Sequence, residues 1–226
     1  MTPDDVLSDC LETVAVLVQN ECVLDSRQPF KKKSGPSTIV TSVSSVSLSE
    51  TFGIESPIEE YLWYLDNGFF LVVTDEASLI QISYTFDPSN ILSKHRLAWI
   101  PCPLYFEPPE YSETTLGDLI RNASDKDLRE RARPAGGFRF DFDVAAATQT
   151  HPESHFTLFR KHCRIPVTYP LSVGHFIHFV ASHLEPGIIP TEKRTDKHLP
   201  KRRALSNRSQ SVDGRVAGDI FLDVMR

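Results

Sequence analysis

Between Phe138 and His155 the chain reads FRFDFD, an eleven-residue connection, and then the His that closes HPESH. Successive strand residues point to opposite faces, so Phe138, Phe140 and Phe142 share one face and Arg139, Asp141 and Asp143 the other. Three aromatics in register are a core signal. The opposite row, with His151 and His155 shortly after it, must face water, a partner or a site. Asp141 and Asp143 are oxygen ligands of the kind a hydrated Mg²⁺ or Mn²⁺ takes, and such an ion could activate water against a phosphodiester. A metal-free version uses His155 as general base and His151 as acid, with Arg139 and Arg164 stabilising phosphate charge. The structural alternative pairs Asp141 and Asp143 with Arg139 and Arg164 across neighbouring strands. There His151-Pro152 starts a turn, and Ser154 and His155 satisfy backbone groups. The histidines fit that alternative somewhat better, whereas the two carboxylates read better as functional.

Little else in the chain carries chemistry. HPESH has a proline after its first His and lacks the HExxH order of a zinc-binding helix. A Walker loop, GxGxxG, GxSxG and the kinase motifs are all missing, which disfavours nucleotide hydrolysis, Rossmann cofactors and serine hydrolysis. His175 and His178 lie close on one helix surface, and helical His pairs are more often surface residues than ligands. The four cysteines, Cys10, Cys22, Cys102 and Cys163, form no CxxC pair and read as reduced thiols. Trp63, Tyr61 and Tyr64 read as core rather than as a base-stacking platform. A chain of 226 residues, 40% hydrophobic and 24% charged, can build one large core or two small ones. Its net charge of -6 argues against a generic nucleic-acid coat. No apolar run reaches membrane-spanning length and the opening TPDD lacks a signal peptide's pattern, so the expected location is the cytoplasm of a bacterium, with no membrane partner.

The elements that must position the central residues are readable in order. Thr2, Pro3, Asp4 and Asp5 start a helix whose apolar positions run from Leu7 to Val18. Residues 27–36 (RQPFKKKSGP) read as a basic loop and TIVTSVSSVSL as a strand. Ser56-Pro57-Ile58-Glu59 starts a second helix that should stop at Asn67-Gly68. FFLVVTD and LIQISYTFD read as a hairpin, and HRLAWIPCPLYF as a strand ended by Pro101 and Pro103. Thr115–Ala123 and Ser124–Arg133 are short helical patterns. HFTLFR follows the central strand, and Ser172 caps a helix with Phe176, Phe179, Val180, His183 and Leu184 inward and His175, His178 and Ser182 outward. The expected class is α+β, an antiparallel or mixed sheet flanked by helices, over residues 1–186. Residues 187–226 read as a flexible basic tail: Glu192 to Arg208 holds seven Lys or Arg against two acids, and the closing DIFLDVM is apolar enough to dock.

WYL followed by GFF, then QISYTFD, HRLAWIPCP, FRFDFD, HPESH, CRIPV and FIHFV, in that order across Tyr61 to Leu184, resembles an uncharacterised bacterial family of unknown function. Its pattern is an aspartate-rich strand, an HPxSH segment and an RIPV-type strand before a C-terminal helix, with the basic tail outside it. The resemblance implies a defence-associated or mobile gene setting. Two functions follow as expectations. One is an accessory, non-catalytic subunit of an antiviral defence or toxin–antitoxin complex that binds a larger protein partner and nucleic acid, with Lys201, Arg202 and Arg203 touching phosphate beside Arg139 and Arg164. The other is a nuclease-like effector using Asp141, Asp143, His151 and His155.

Overall fold

The computed structural model describes residues 1–43, 57–107, 110, 114–133, 136–148, 151–158, 164–167, 169–185 and 188. Their order is α1 (Pro3–Gln19), β1 (Val23–Ser26), β2 (Phe30–Ser34), β3 (Ser37–Thr41), α2 (Pro57–Asp66), β4 (Val72–Thr74), β5 (Leu79–Phe86) and β6 (Leu92–Ile100). Then come α3 (Leu116–Arg121), α4 (Asp125–Glu130), β7 (Phe138–Asp143), β8 (Ser154–Leu158), β9 (Arg164–Pro166) and α5 (Val173–His183). The nine strands form one sheet in the order β1-β4-β5-β6-β7-β8-β9, with β3 also paired to β5 and β2 to β3, and every pairing is antiparallel. The fold is therefore α+β with flanking helices, as its patterns require. The tail from 189 onward, with Lys201, Arg202, Arg203 and DIFLDVM, lies outside the described residues. So do Ser56, Cys163 and the second half of TIVTSVSSVSL.

Local signals account for most element ends. Thr2 accepts from the Asp5 amide while the Asp5 carboxylate accepts from the Thr2 amide, a reciprocal cap that fills two orphan donors. Ser172 accepts from the His175 amide at the head of α5. Helix α2 gives way at Gly68, whose φ of +65° suits a residue without a Cβ. Residues 27–36 depart from the expected loop: Phe30–Ser34 is β2, turned into β3 through Gly35 at φ +57°. Its lysines are satisfied one by one. Lys31 pairs with Asp4, Lys32 donates to the Val43 carbonyl at 3.3 Å, and Lys33 donates to Thr38 Oγ1 at 2.9 Å.

The sheet's two faces have different fates. On one, α1 and α5 cover Val40, Ile80, Ile82, Tyr84, Phe86, Leu97, Phe138, Phe140 and Phe156. Phe140 lies 4.9 Å from the Phe156 ring and 5.3 Å from Phe179, the latter edge-on, contacts of about 0.5–1.5 kcal/mol each beyond their burial. The inward stripe of α5 is Val173, Phe176, Ile177, Val180 and Ala181; His178 is buried with it and His183 is exposed, the reverse of the expected arrangement for those two histidines. Adjacent residues separated by 100° on a helix share the margin of a wide apolar stripe, and α5 is covered broadly enough to take His178 in.

On the second face, α2 and α3 cover only one end, where Leu79 and Ile100 join Tyr61, Tyr64, Phe69 and Ile120. Further along the same face β5 continues as Gln81, Ser83 and Thr85, and β6 as Ala98, Arg96 and Lys94. The face thus turns from apolar to polar along two strands. Gln81 marks the change, donating from Nε2 to the Phe69 carbonyl at 2.6 Å.

Two consequences are measurable. A Cβ on Gly137 would stand 2.5 Å from the Trp99 carbonyl oxygen and 3.2 Å from Ile100 Cα, neither of which can retreat without breaking β6. Gly137→Ala should cost about 2 kcal/mol in urea unfolding, and an unchanged midpoint would contradict that close approach. His95, on the covered face, accepts the Leu171 amide on Nε2 at 3.0 Å, and burial pulls its pKa down to about 4. The folded chain holds this ring neutral while the unfolded chain protonates it near 6.5. Its contribution, roughly 3 kcal/mol, is present above about pH 6.5 and lost as the pH falls toward 4. Urea midpoints measured across that range should drop in the wild type and drop much less in His95→Gln; parallel curves would contradict it.

Candidate functional site: a guanidinium-rich cleft on the sheet

Register alone assembles the site on the polar part of the second face. Arg96 on β6 stands opposite Asp141 on β7, which stands opposite His155 on β8. One step along, Lys94 opposes Asp143; one step the other way, Arg139 opposes Thr157, which opposes Arg164 on β9. Directly opposed residues carry Cβ atoms about 4.5–5.5 Å apart, within reach of one another's polar ends.

Asp141 is the centre. Arg96 Nε donates to its Oδ1 at 3.0 Å and Arg139 Nε donates to its Oδ2 at 2.5 Å. The three side chains are 9%, 13% and 15% exposed, so this is a largely buried triad of one anion and two cations. Burial pushes the Asp141 carboxyl up, but attraction to Arg96 and then Arg139 outweighs it and the group lies below its ordinary value. Asp143 pairs with Lys94 Nζ at 2.9 Å and accepts from the Ala145 and Ala146 amides, which bends the chain off the strand into the connection to β8.

The histidines occupy unequal positions. His155 is 2% exposed; its Nδ1 lies 3.0 Å from the Pro152 carbonyl and its Nε2 3.6 Å from Asp141 Oδ2. Burial lowers its pKa, with Asp141 opposing. The ring is held from both ends. His151 is half-buried at the margin, its ring centroid 4.8 Å from that of His155, and the Thr148 hydroxyl accepts from its amide.

Together these residues line a cleft of about 70 Å³. Lys94, Arg96, Arg139 and Arg164 set four positive charges against the two negative charges of Asp141 and Asp143, a surplus of two before any histidine is counted. The chain as a whole carries -6. Charge here runs against the average.

The structure thus brings Arg139, Asp141, Asp143, His151, His155 and Arg164 into one cleft. Asp141 pairs with Arg96 and Arg139, and Asp143 with Lys94, so neither carboxylate takes Arg164 as the structural alternative had it. Arg96 and Lys94 are members of the site that the reading of HRLAWIPCPLYF as a strand did not single out. Their signal was present: Lys94, Arg96 and Ala98 alternate with His95, Leu97 and Trp99. As a magnesium or manganese site the cluster fits poorly, since two guanidiniums occupy the Asp141 oxygens. Among the described residues no three His, Cys, Asp or Glu side chains converge as a metal's ligands would.

Residues 23–205 match the model of a family described as an uncharacterized conserved protein (DUF2290). The chain belongs to that family. The match begins well before Tyr61 and runs past Pro186 as far as 205, so it takes in β1 to β3 and Lys201, Arg202 and Arg203, all outside the span of the resemblance. No curated protein and no solved structure matches the chain. Among the described residues no helix is long and apolar enough to cross a membrane.

Removing one partner from a buried ionic cluster strands the others, so Asp141→Asn should destabilise the protein by about 3 kcal/mol. The Asp141 contribution is present above the ordinary aspartate value near 3.9 and lost as the pH falls through its lower folded value. Acid unfolding of Asp141→Asn should lack that last limb. Equal urea midpoints for variant and wild type at pH 7 would contradict the triad's role.

Proposed function

We propose that this protein binds nucleic acid through its phosphates, as an accessory component rather than as a catalyst. The observation that carries the reading is the surplus of two positive charges in the cleft, focused by three arginines on the sheet of an otherwise acidic chain. Guanidinium groups are the side chains best matched to phosphate oxygens. The Asp141 carboxylate does not cancel them; it holds Arg96 and Arg139 in place, so little side-chain entropy is lost when a ligand arrives. A cleft of about 70 Å³ has room for a phosphate group but none for a nucleobase, which makes the contact independent of sequence.

This supports the nucleic-acid half of the accessory-subunit reading. A larger protein partner, a bacterial antiviral defence or toxin–antitoxin complex, and a cytoplasmic setting remain part of the proposal on the strength of the sequence resemblance and the basic tail. A second reading, metal-independent cleavage of a phosphodiester, has the 4.8 Å contact between His151 and His155 in its favour. His151 would be the group that reaches the substrate, and His155 would position it.

The test is anisotropy of labelled single-stranded RNA, single-stranded DNA and duplex DNA on the purified protein, with EDTA, Mg²⁺ or Mn²⁺. Log K should fall linearly with log salt between about 50 and about 200 mM. Arg164→Gln should weaken all bound sequences alike and reduce the slope by about 1. Absence of salt-dependent binding would overturn the reading. Cleavage that survives EDTA and is lost in His151→Ala would replace it with the second.

A further inference from the structure

A turn in the connection between β7 and β8 holds one titratable ring against the cleft. Thr148 and His151 exchange backbone hydrogen bonds, the Thr148 amide donating at 2.8 Å and the His151 amide at 3.3 Å. The Thr148 hydroxyl accepts from the His151 amide as well, at 3.0 Å. The half-buried His151 ring lines the cleft together with Lys94, Arg96, Arg139 and Arg164, so a group held by those cations lies beside it. Among the described residues no carboxylate pairs with this ring; the ion pair of Asp141 with a histidine goes to His155. A positive charge on His151 therefore has no counter-ion in the fold, and a bound anion would supply one.

Three histidines line the cleft, and two of them are withheld from such a role. His95 is buried and accepts the Leu171 amide on Nε2, a bond that needs the unprotonated nitrogen. His155 is turned inward between the Pro152 carbonyl and Asp141, and burial disfavours its charged form. A charge on His151, 4.8 Å away, disfavours it further. The remaining charged groups of the lining are Lys94 and Arg96 from β6, Arg139, Asp141 and Asp143 from β7, and Arg164 from β9, while Glu153 stands two residues along the connection. Of all these types, histidine is the one whose charge ordinarily changes between about pH 5 and 8. Resting on the phosphate-binding reading above, we infer that His151 is a conditional phosphate contact that takes up a proton as nucleic acid binds, so that affinity rises on acidification. The sign follows from linkage: if the anion favours the charged ring, the charged ring favours the anion by the same factor.

The probes are labelled single-stranded RNA and DNA with 5′-hydroxyl ends, since a phosphodiester keeps its charge over this range whereas a terminal phosphate ionises near pH ~6. Anisotropy in EDTA gives the affinity of the full chain. Wild type should bind about tenfold more tightly near pH 5.5 than near pH 8. Its slope of log K against log salt should be steeper by about 0.9 at the lower pH, as one added cation on phosphate requires. Binding heats compared in two buffers of different ionisation enthalpy should show net proton uptake. His151→Gln keeps a polar side chain without the charge change: its affinities at the two pH values should agree within about twofold, and its proton uptake should be lost. His151→Lys, charged at both pH values, should bind more tightly than His151→Gln near pH 8. Histidines elsewhere in the chain titrate equally in wild type and variants, and melting curves at both pH values establish that each is folded. Salt-dependent binding without a rise in wild type, or with a rise that persists undiminished in His151→Gln, overturns the inference and leaves the phosphate reading standing. Absence of salt-dependent binding at both pH values overturns the reading on which it rests.

Discussion

A carboxylate between two guanidiniums, almost out of water, is the contact around which the polar half of this sheet is built. Withdrawing charges from water is expensive, and the attraction within Arg96–Asp141–Arg139 offsets that cost only because both Asp141 oxygens accept well-placed donors. The arrangement ties β6 to β7, and His155 carries it on to β8. Its sum is not neutral. One anion for two cations leaves positive charge, and Lys94 and Arg164 add to a field that only Asp143 reduces.

Strand alternation lets one segment build both core and site. FRFDFD sends its phenylalanines into the layer beneath α1 and α5 and its charged residues to the opposite face. The rigidity of the cleft comes from that aromatic layer, since Phe140 cannot move without disturbing Phe156, Phe176 and Phe179. The position of the cleft is set by β5 and β6. Where those strands carry Leu79 and Ile100, helices α2 and α3 cover the face; where they carry Ser83, Thr85, Arg96 and Lys94, the charged groups line a cleft instead.

Patterns with a strict period were readable from residues alone: the alternation of FRFDFD, the caps at Thr2 and Ser172, the stop at Gly68 and the α+β class. What was missed has specific causes. Phe30–Ser34 reads as a loop in sequence because three consecutive lysines mask a strand's alternation, and each is satisfied by a partner far along the chain or across the hairpin. Arg96 and Lys94 go unmarked in sequence because a strand's register against its neighbour is a non-local fact; only the pairing of β6 with β7 makes Arg96 the companion of Asp141. The burial of His178 depends on how broadly neighbouring elements cover α5, which its own periodicity does not state.

The central claim is that the guanidiniums of this cleft are arranged for an anion that the fold does not supply. The most direct measurement is the NMR spectrum of the arginine Nε–Hε groups during titration with inorganic phosphate at constant ionic strength, with Arg164 assigned through Arg164→Lys. The account predicts a saturable shift of the Arg164 signal that reports an anion beside its guanidinium, while Arg96 and Arg139, already bound to Asp141, move little. An Arg164 signal that stays in place throughout the titration would contradict it.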